Sequence, residues 1–322
     1  MNIYLAPLEG NTGYNYRKAV CECFGGFDKY FIPFINPNQR GKLSHREKND
    51  VLPEHNEGMH AVPQILTRYP EDFIRTAQIL QEEYGYEEIN LNLGCPSRTV
   101  VTKGRGAGFL EYPDELERFL DEIFEKCEVK ISIKTRLGME EAWEFEDLLK
   151  IYNKFPLEEL IVHPRVQKDY YKNMPNLEAF EKAFAESENP VCYNGNIFTK
   201  TDCEKLTERF QKLDCIMLGR GAMANPALAR EIRGGKKIEK EELRRFHDML
   251  YAAYCEEIPG DRNILFRMKE FWSYMAPMFA DSKKYAKKIK KSEKRVVYES
   301  AVQELFANTS LDTTSEFDQN RY

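Results

Sequence analysis

Cys95 stands in the run Asn90-Leu91-Asn92-Leu93-Gly94-Cys95-Pro96-Ser97, where an apolar, strand-like segment ends on Gly94 and Pro96. Those two residues impose a turn, and a thiol carried on it is presented where it can exchange a proton. Lys134, in Ser132-Ile133-Lys134-Thr135-Arg136, also ends an apolar run. A lysine in that setting is costly to bury unless an anion lies close. Either a structural carboxylate answers it or a bound electron-rich group does. A reduced flavin, negative along its N1–C2=O edge, is one such group. His163, in Ile161-Val162-His163-Pro164-Arg165, closes another run and can hydrogen-bond the same ring or serve the structure alone. Asn194-Gly195-Asn196 and Gly219-Arg220-Gly221-Ala222 follow two further runs, and Asn225-Pro226 opens a helix just beyond. Paired glycine loops of this kind take phosphate on backbone N–H groups. Lys103-Gly104-Arg105-Gly106-Ala107-Gly108 reads as a flexible basic loop suited to a large anionic substrate. It lacks the strand-before, helix-after setting of a dinucleotide fingerprint.

These residues act together only if the fold gathers them. Strand-length apolar runs recur at Ile3–Ala6, Tyr30–Phe34, Ala61–Leu66, Glu88–Leu93, Lys130–Thr135, Glu159–His163, Pro190–Asn194 and Asp214–Leu218. Between them lie amphipathic stretches at Pro70–Tyr84, Pro113–Lys126, Ala142–Lys154 and Lys200–Lys212. In the first, Phe73, Ala77 and Leu80 keep helical spacing, with Ile74 extending that face. Pro70 and Pro113 sit where a first helical turn tolerates proline. Eight strand–helix units predict a (β/α)8 TIM barrel. A doubly wound sheet shows the same alternation. The polar residues decide between them, because Glu9, Gln64, Asn92, Cys95, Lys134, Arg136, His163, Arg165, Asn194, Gly219 and Arg220 all fall at or just past strand C-termini. A closed barrel brings those ends to one mouth.

Past about residue 236 the strand pattern stops. Lys240–Glu256, Arg262–Phe279 and Lys284–Phe306 read as three helices. The expected organisation is therefore a catalytic barrel over 1–236, a small all-α helical domain over 237–308 and a polar, flexible tail over 309–322. The net charge of −6 argues against a nucleic-acid partner. Yet between Lys283 and Arg295 eight basic residues face one acid, Glu293. From charge alone that run is a solvated face or an anion-binding one.

Hydrophobic residues make up 42% and charged residues 31%, with 18 Tyr and 20 Phe, the balance of a globular protein. No apolar run of about 18 residues occurs, and the N-terminus has no signal-peptide pattern, so a cytoplasmic protein with no membrane partner is expected. The eight cysteines include no Cys-x-x-Cys pair, which makes them free thiols and leaves no expected metal site.

Assembled in order, Ala6-Pro7-Leu8-Glu9-Gly10, the Asn90–Ser97 run, Lys134-Thr135-Arg136-Leu137-Gly138, His163-Pro164-Arg165, Asn194-Gly195-Asn196 and Gly219-Arg220-Gly221-Ala222 resemble the tRNA-dihydrouridine synthase family. The resemblance runs from Leu5 to about Pro226 and more weakly to about Phe306. It implies an FMN-binding barrel, reduced by NADPH or NADH, that converts a tRNA uridine to 5,6-dihydrouridine while the helical domain helps hold the tRNA. It further implies Cys95 as the acid that protonates C5 while hydride enters at C6. By the same resemblance, Ala6, Pro7, Leu8, Gln64, Lys134 and His163 would touch the flavin ring. Asn194, Gly195, Asn196, Gly219 and Arg220 would hold its phosphate and ribityl chain. Asn92 would bind the target uridine, and Lys103 and Arg165 would meet the RNA. The sequence departs from the family pattern at Gly13, at Pro164 and Val166, and in the Asn194–Asn196 block, where the family carries an acid.

Two other readings stay open at this point: a flavin barrel acting on a small pyrimidine-like substrate, and a barrel that binds RNA without reducing it. A monomer is expected.

Overall fold

A computed structural model describes residues 1–38 and 41–312. Its strands are β1 (Asn2–Leu5), β2 (Lys29–Phe31), β3 (Ala61–Val62), β4 (Gln64–Ile65), β5 (Glu88–Leu93), β6 (Lys130–Arg136), β7 (Glu159–His163), β8 (Val191–Tyr193) and β9 (Cys215–Leu218). All pairings among them are parallel, in the order β3-β2-β1-β9-β8-β7-β6-β5-β4. The two ends of that sheet, β3 and β4, are consecutive pieces of one stave interrupted at Pro63. Proline has no N–H to place in the ladder, so the run expected over Ala61–Leu66 splits there. Its first half pairs with β2 and its second with β5, and the eight-staved barrel closes.

Side chains alternate across the sheet with period two. Outward-facing Ile3, Leu5, Ile89, Leu91, Ile131, Ile133, Leu160, Val162, Ile216 and Leu218 meet the surrounding helices in one apolar core. The inward set is divided. Tyr4, Ala6, Phe31, Val62, Ile161, Cys192, Cys215 and Met217 form a separate apolar cluster inside the barrel. Across from them, β4, β5 and β6 point Gln64, Asn90, Asn92 and Ser132 inward, all buried and hydrogen-bonded to one another. A half-polar interior needs that mutual pairing, because each unpaired buried amide costs about 1–3 kcal/mol.

The Pro70–Tyr84 helix has the expected limits, with acidic Glu71 and Asp72 in its first turn and Gly85 closing it at φ +76°. Phe73, Thr76, Ala77 and Leu80 are its buried face. Pro113–Lys126 also has its expected bounds. The third C-terminal helix differs from expectation. It is two helices, Lys283–Lys291 and Arg295–Asn308, parted where Ser292 turns extended, at ψ 132°. The buried Ser292 hydroxyl donates to the Ile289 carbonyl at 2.6 Å and occupies an acceptor at that helix end. Lys283–Lys291 buries Tyr285 and Ile289, one turn apart, and leaves its lysines exposed.

The helical segment is bonded to the barrel wall. Tyr16, on the Tyr14–Cys23 helix, stacks on Phe271 at 5.3 Å and meets Phe246 edge-on at 5.7 Å. Its hydroxyl donates to the Ala222 carbonyl at 2.8 Å. Tyr298 accepts from Trp272 Nε1 at 2.8 Å and pairs with His247 at 2.7 Å, which ties three of the C-terminal helices together. Of the tail expected over 309–322, Ser310 and Asp312 join backbone bonds to Ala280 and Met278, and 313–322 lie outside the described residues. No helix among the described residues is long and apolar enough to cross a membrane.

Candidate active site

The strand C-termini surround a cavity of about 570 Å³, a size suited to a cofactor-scale ligand. Of the residues expected at the site, Ala6, Pro7, Leu8, Gln64, Asn92, Cys95, Lys134, His163, Arg165, Asn194, Gly195, Asn196, Gly219 and Arg220 all line it. Lys103 does not; its side chain is exposed beyond the rim.

Cys95 is held by its neighbours in the chain. Asn92 Oδ1 accepts from the Gly94 N–H at 3.0 Å and the Cys95 N–H at 2.9 Å, an Asx-type clasp that sets the turn. Behind it lies the Gly104–Gly108 loop. That segment was expected to be flexible and to approach substrate, and the structure corrects this: Gly106–Leu110 are buried and form a 3₁₀ turn against the Cys95 backbone. A Cβ on Gly106 would fall 2.9 Å from the Cys95 carbonyl, and Ala107 N–H donates to that carbonyl at 3.1 Å. The glycine serves close packing beneath the thiol. Burial pushes the Cys95 thiol up, against the pull of Arg136 and Lys134, so it stays protonated at neutral pH.

Lys134 makes no ion pair or hydrogen bond among the described residues, which removes the structural-carboxylate reading. Burial, with Arg136 adding to it, lowers its ammonium to about 7. Arg136 is held by carbonyls, donating to Gly94 at 3.0 Å, Val166 at 2.9 Å and Tyr170 at 2.8 Å. Arg165 is 1% exposed and directed inward, to the Asn173 carbonyl at 2.6 Å, His163 Nε2 at 2.8 Å and Asn196 Oδ1 at 3.0 Å. Because arginine only donates, His163 Nε2 accepts and its proton sits on Nδ1. Burial and the nearby cations hold that imidazole well below its usual range, hence neutral.

Arg220 shares Asn196 Oδ1, at 2.8 Å, and its guanidinium lies over Tyr171 at 4.7 Å and Phe198 at 5.5 Å. Its Nη1 is buried without a hydrogen-bond partner among the described residues. The two glycine loops carrying Asn196 and Arg220 touch so closely that a Cβ on Gly221 would lie 1.9 Å from the Ile197 carbonyl. Three basic side chains, Lys134, Arg165 and Arg220, thus line one cavity with no carboxylate in contact among the described residues. Among the described residues the cavity's one lining carboxylate, Glu9, pairs with Arg46. Uncompensated positive charge of this kind is the imprint of an anionic ligand.

Sequence reasoning missed the aromatic walls, Phe34, Tyr171, Phe198 and Tyr274. Three sit in aperiodic loops, and Tyr274 arrives from the helical segment, far away in sequence. Tyr170, at the same rim, holds the uncommon non-glycine φ of +50°.

Fold and site define a (β/α)8-barrel enzyme with a cationic mouth and a protonated thiol at its edge. A sequence profile described as dihydrouridine synthase matches residues 4–320, and the chain belongs to that family. It is 29% identical over 248 residues to tRNA-dihydrouridine synthase B of Pasteurella multocida, covering 75% of this chain and 71% of that one. It is 28% identical over 296 residues to tRNA-dihydrouridine(16) synthase of Cupriavidus necator, covering 86% and 91%. Among solved structures, histamine dehydrogenase from Rhizobium sp. 4-9 superposes with a TM-score of 0.54 at 13% identity, over 84% of this chain and 49% of that one. Morphinone reductase does so with 0.50 at 14%, over 76% and 88%. At those identities the structures bear on the barrel fold alone.

Proposed function

We propose that this enzyme reduces a tRNA uridine to 5,6-dihydrouridine, with FMN as cofactor, NADPH or NADH as reductant and Cys95 as the proton donor. The observation that carries the reading is the pairing, in one cavity, of a lysine without a counter-ion and a thiol kept protonated. Lys134 and neutral His163 would meet the ring of the flavin, with the Ala6–Leu8 backbone against it. Arg220, whose Nη1 lacks a partner, would take the phosphate with Asn194, Gly195, Asn196 and Gly219. When bound, FMN supplies the two electrons that saturate the 5,6 double bond.

The protein's own task is the proton. Reduction at C6 leaves negative charge across C5 and the C4 carbonyl, and the Cys95 thiol is the acid placed to neutralise it at C5. Asn92 spends its oxygen on the Cys95 turn and one N–H on Gln64, at 2.7 Å. The second N–H is left for a carbonyl of the target base. Arg165, being buried, supports Asn196 and His163 from below, while exposed Lys103 remains available to RNA. The target base must leave its stack to enter the cavity. The lysine face of Lys283–Lys291 is the proposed tRNA contact of a helical domain spanning 237–308.

The test is dihydrouridine, measured by mass spectrometry in tRNA lacking the modification, after incubation with flavin-loaded protein and NADPH. Cys95→Ala should lower its formation by about 10²–10⁴-fold with flavin retained. A flavin-loaded wild type that leaves tRNA unchanged yet turns over small pyrimidines would overturn the reading. For the lysine face, tRNA affinity should drop at least about tenfold between 50 and 200 mM salt; a flat response in filter binding would count against it.

A further inference from the structure

A continuous file of side chains runs down the polar half of the barrel interior, and every hydrogen bond in it points the same way. Asn92 Nδ2 donates to Gln64 Oε1 at 2.7 Å, Gln64 Nε2 to Asn90 Oδ1 at 2.7 Å, and Asn90 Nδ2 to Ser132 Oγ at 2.9 Å. Ser132 then gives its one hydroxyl proton to Glu88 Oε1 at 2.8 Å. The other oxygen of Glu88 accepts from Lys29 Nζ at 2.7 Å. Asn92 Oδ1, at the upper end, is the atom that clasps the Gly94 and Cys95 N–H groups.

An amide can be turned over within nearly the same volume, so shape alone does not orient Gln64, Asn90 or Asn92. A carboxylate can only accept. It therefore fixes the Ser132 proton, and that in turn leaves one consistent orientation for each amide above. We propose that Glu88, Ser132 and Asn90, with Lys29 behind them, are positioning residues: the carboxylate at the closed end of the barrel sets the direction of the file and so holds Asn92 with its oxygen toward the Cys95 turn. The inference rests on Cys95 being the proton donor.

The consequence is specific. In Glu88→Gln one oxygen becomes an NH2 group. Lys29 still requires an acceptor, so the new amide turns its oxygen to Lys29 and its NH2 to Ser132. The Ser132 proton then loses its acceptor below and is satisfied within the file only by donating upward; with that, Asn90 and Gln64 turn over, and Asn92 presents N–H groups to two N–H groups. The clasp on Cys95 opens. In the double variant Lys29→Met/Glu88→Gln that demand on the oxygen is gone. The amide can keep its oxygen toward Ser132, and the original direction returns. A salt bridge of purely structural value predicts the reverse, with the double variant no better than the single one.

Full-length flavin-loaded protein is assayed for dihydrouridine formation, with kcat and KM for tRNA separated. In parallel, iodoacetamide labelling of Cys95 without tRNA is followed by peptide mass spectrometry. Glu88→Gln should lower kcat about tenfold with KM changed less than about twofold, and label Cys95 about threefold faster. The double variant should recover to within about threefold of wild type on both readouts. Ser132→Ala removes one hydroxyl without altering charge; it should lower kcat about fivefold and serves if Glu88→Gln does not fold. Unchanged kcat and labelling in the single variants, or a double variant no better than Glu88→Gln, overturns the proposal. A wild type that forms no dihydrouridine defeats the functional reading, while the labelling comparison still reads the file.

Discussion

At the N-terminal end of the barrel Lys29 lies 2.7 Å from Glu88. At the C-terminal end Arg136, Arg165 and Arg220 meet carbonyls, an amide, an imidazole and aromatic faces and Lys134 makes no hydrogen bond, with no carboxylate in contact with any of them among the described residues. Burial opposes the charge at both ends, more strongly at Lys134 than at Lys29. The closed end answers the cost from within the chain, and that lysine is part of the scaffold. The mouth leaves it unanswered, and a ligand must supply the anion. A buried cation marks a binding site by the absence of its partner, and its sign and depth alone do not.

That contrast can be broken by substitution. Lys29→Met, which strands the Glu88 charge, should destabilise the flavin-free protein by about 3 kcal/mol in urea unfolding. A loss under about 1 kcal/mol would show that the pair is not structural. Lys134→Met should do the opposite, raising flavin-free stability by on the order of 1 kcal/mol while weakening flavin binding about tenfold. If Lys134→Met destabilises instead, the mouth lysine has a partner within the protein.

The smallest effect is a pH slope. Lys134 is held at about 7 when folded, below its ordinary 10.5, so between those values the unfolded chain binds the extra proton. Flavin-free stability should therefore gain a rising component from about pH 7 to about 10. The difference in urea midpoint between wild type and Lys134→Met should carry that slope, and a difference independent of pH would remove its assigned cause. Glu159, raised to about 7 by burial, acts in a lower window and with opposite sign, its contribution falling as pH rises from the ordinary 4.5 to about 7. The two do not mask each other.

Much of this was legible in the residues. The strand runs predict the barrel because period-two apolar patterns survive in the outward faces of β5, β6 and β7, and strand-end polar residues gather because a closed barrel has one mouth. Cys95, Lys134 and Arg220 could be named from their neighbours in the chain. What could not be read depends on contacts distant in sequence. Tyr274 reaches the cavity from a helix whose own pattern is that of ordinary amphipathic packing. The Gly104–Gly108 loop looked mobile because glycine permits motion and close packing alike, and only the Cys95 carbonyl above Gly106 tells which. The burial of Arg165 is likewise invisible in His163-Pro164-Arg165, since it follows from Asn173 and Asn196 folding over it. The break at Ser292 was hidden because lysines on both sides favour helix by propensity.

The stacking of Tyr16 on Phe271, with Phe246 meeting it edge-on, has a bearing on how such an enzyme could be redirected. A natural design for changing which nucleotide is reached is to exchange the C-terminal module between relatives, cutting near residue 237. Here the seam lies elsewhere. The Tyr14–Cys23 helix belongs to the barrel by sequence but completes the packing of the helices past residue 240, and its Asn15 bonds Glu257. A chimera joined at 237 inherits mismatched halves of one aromatic stack, whereas one that transplants Tyr14–Cys23 together with the C-terminal helices keeps the stack whole. In evolutionary terms the two segments are expected to have been exchanged together or not at all.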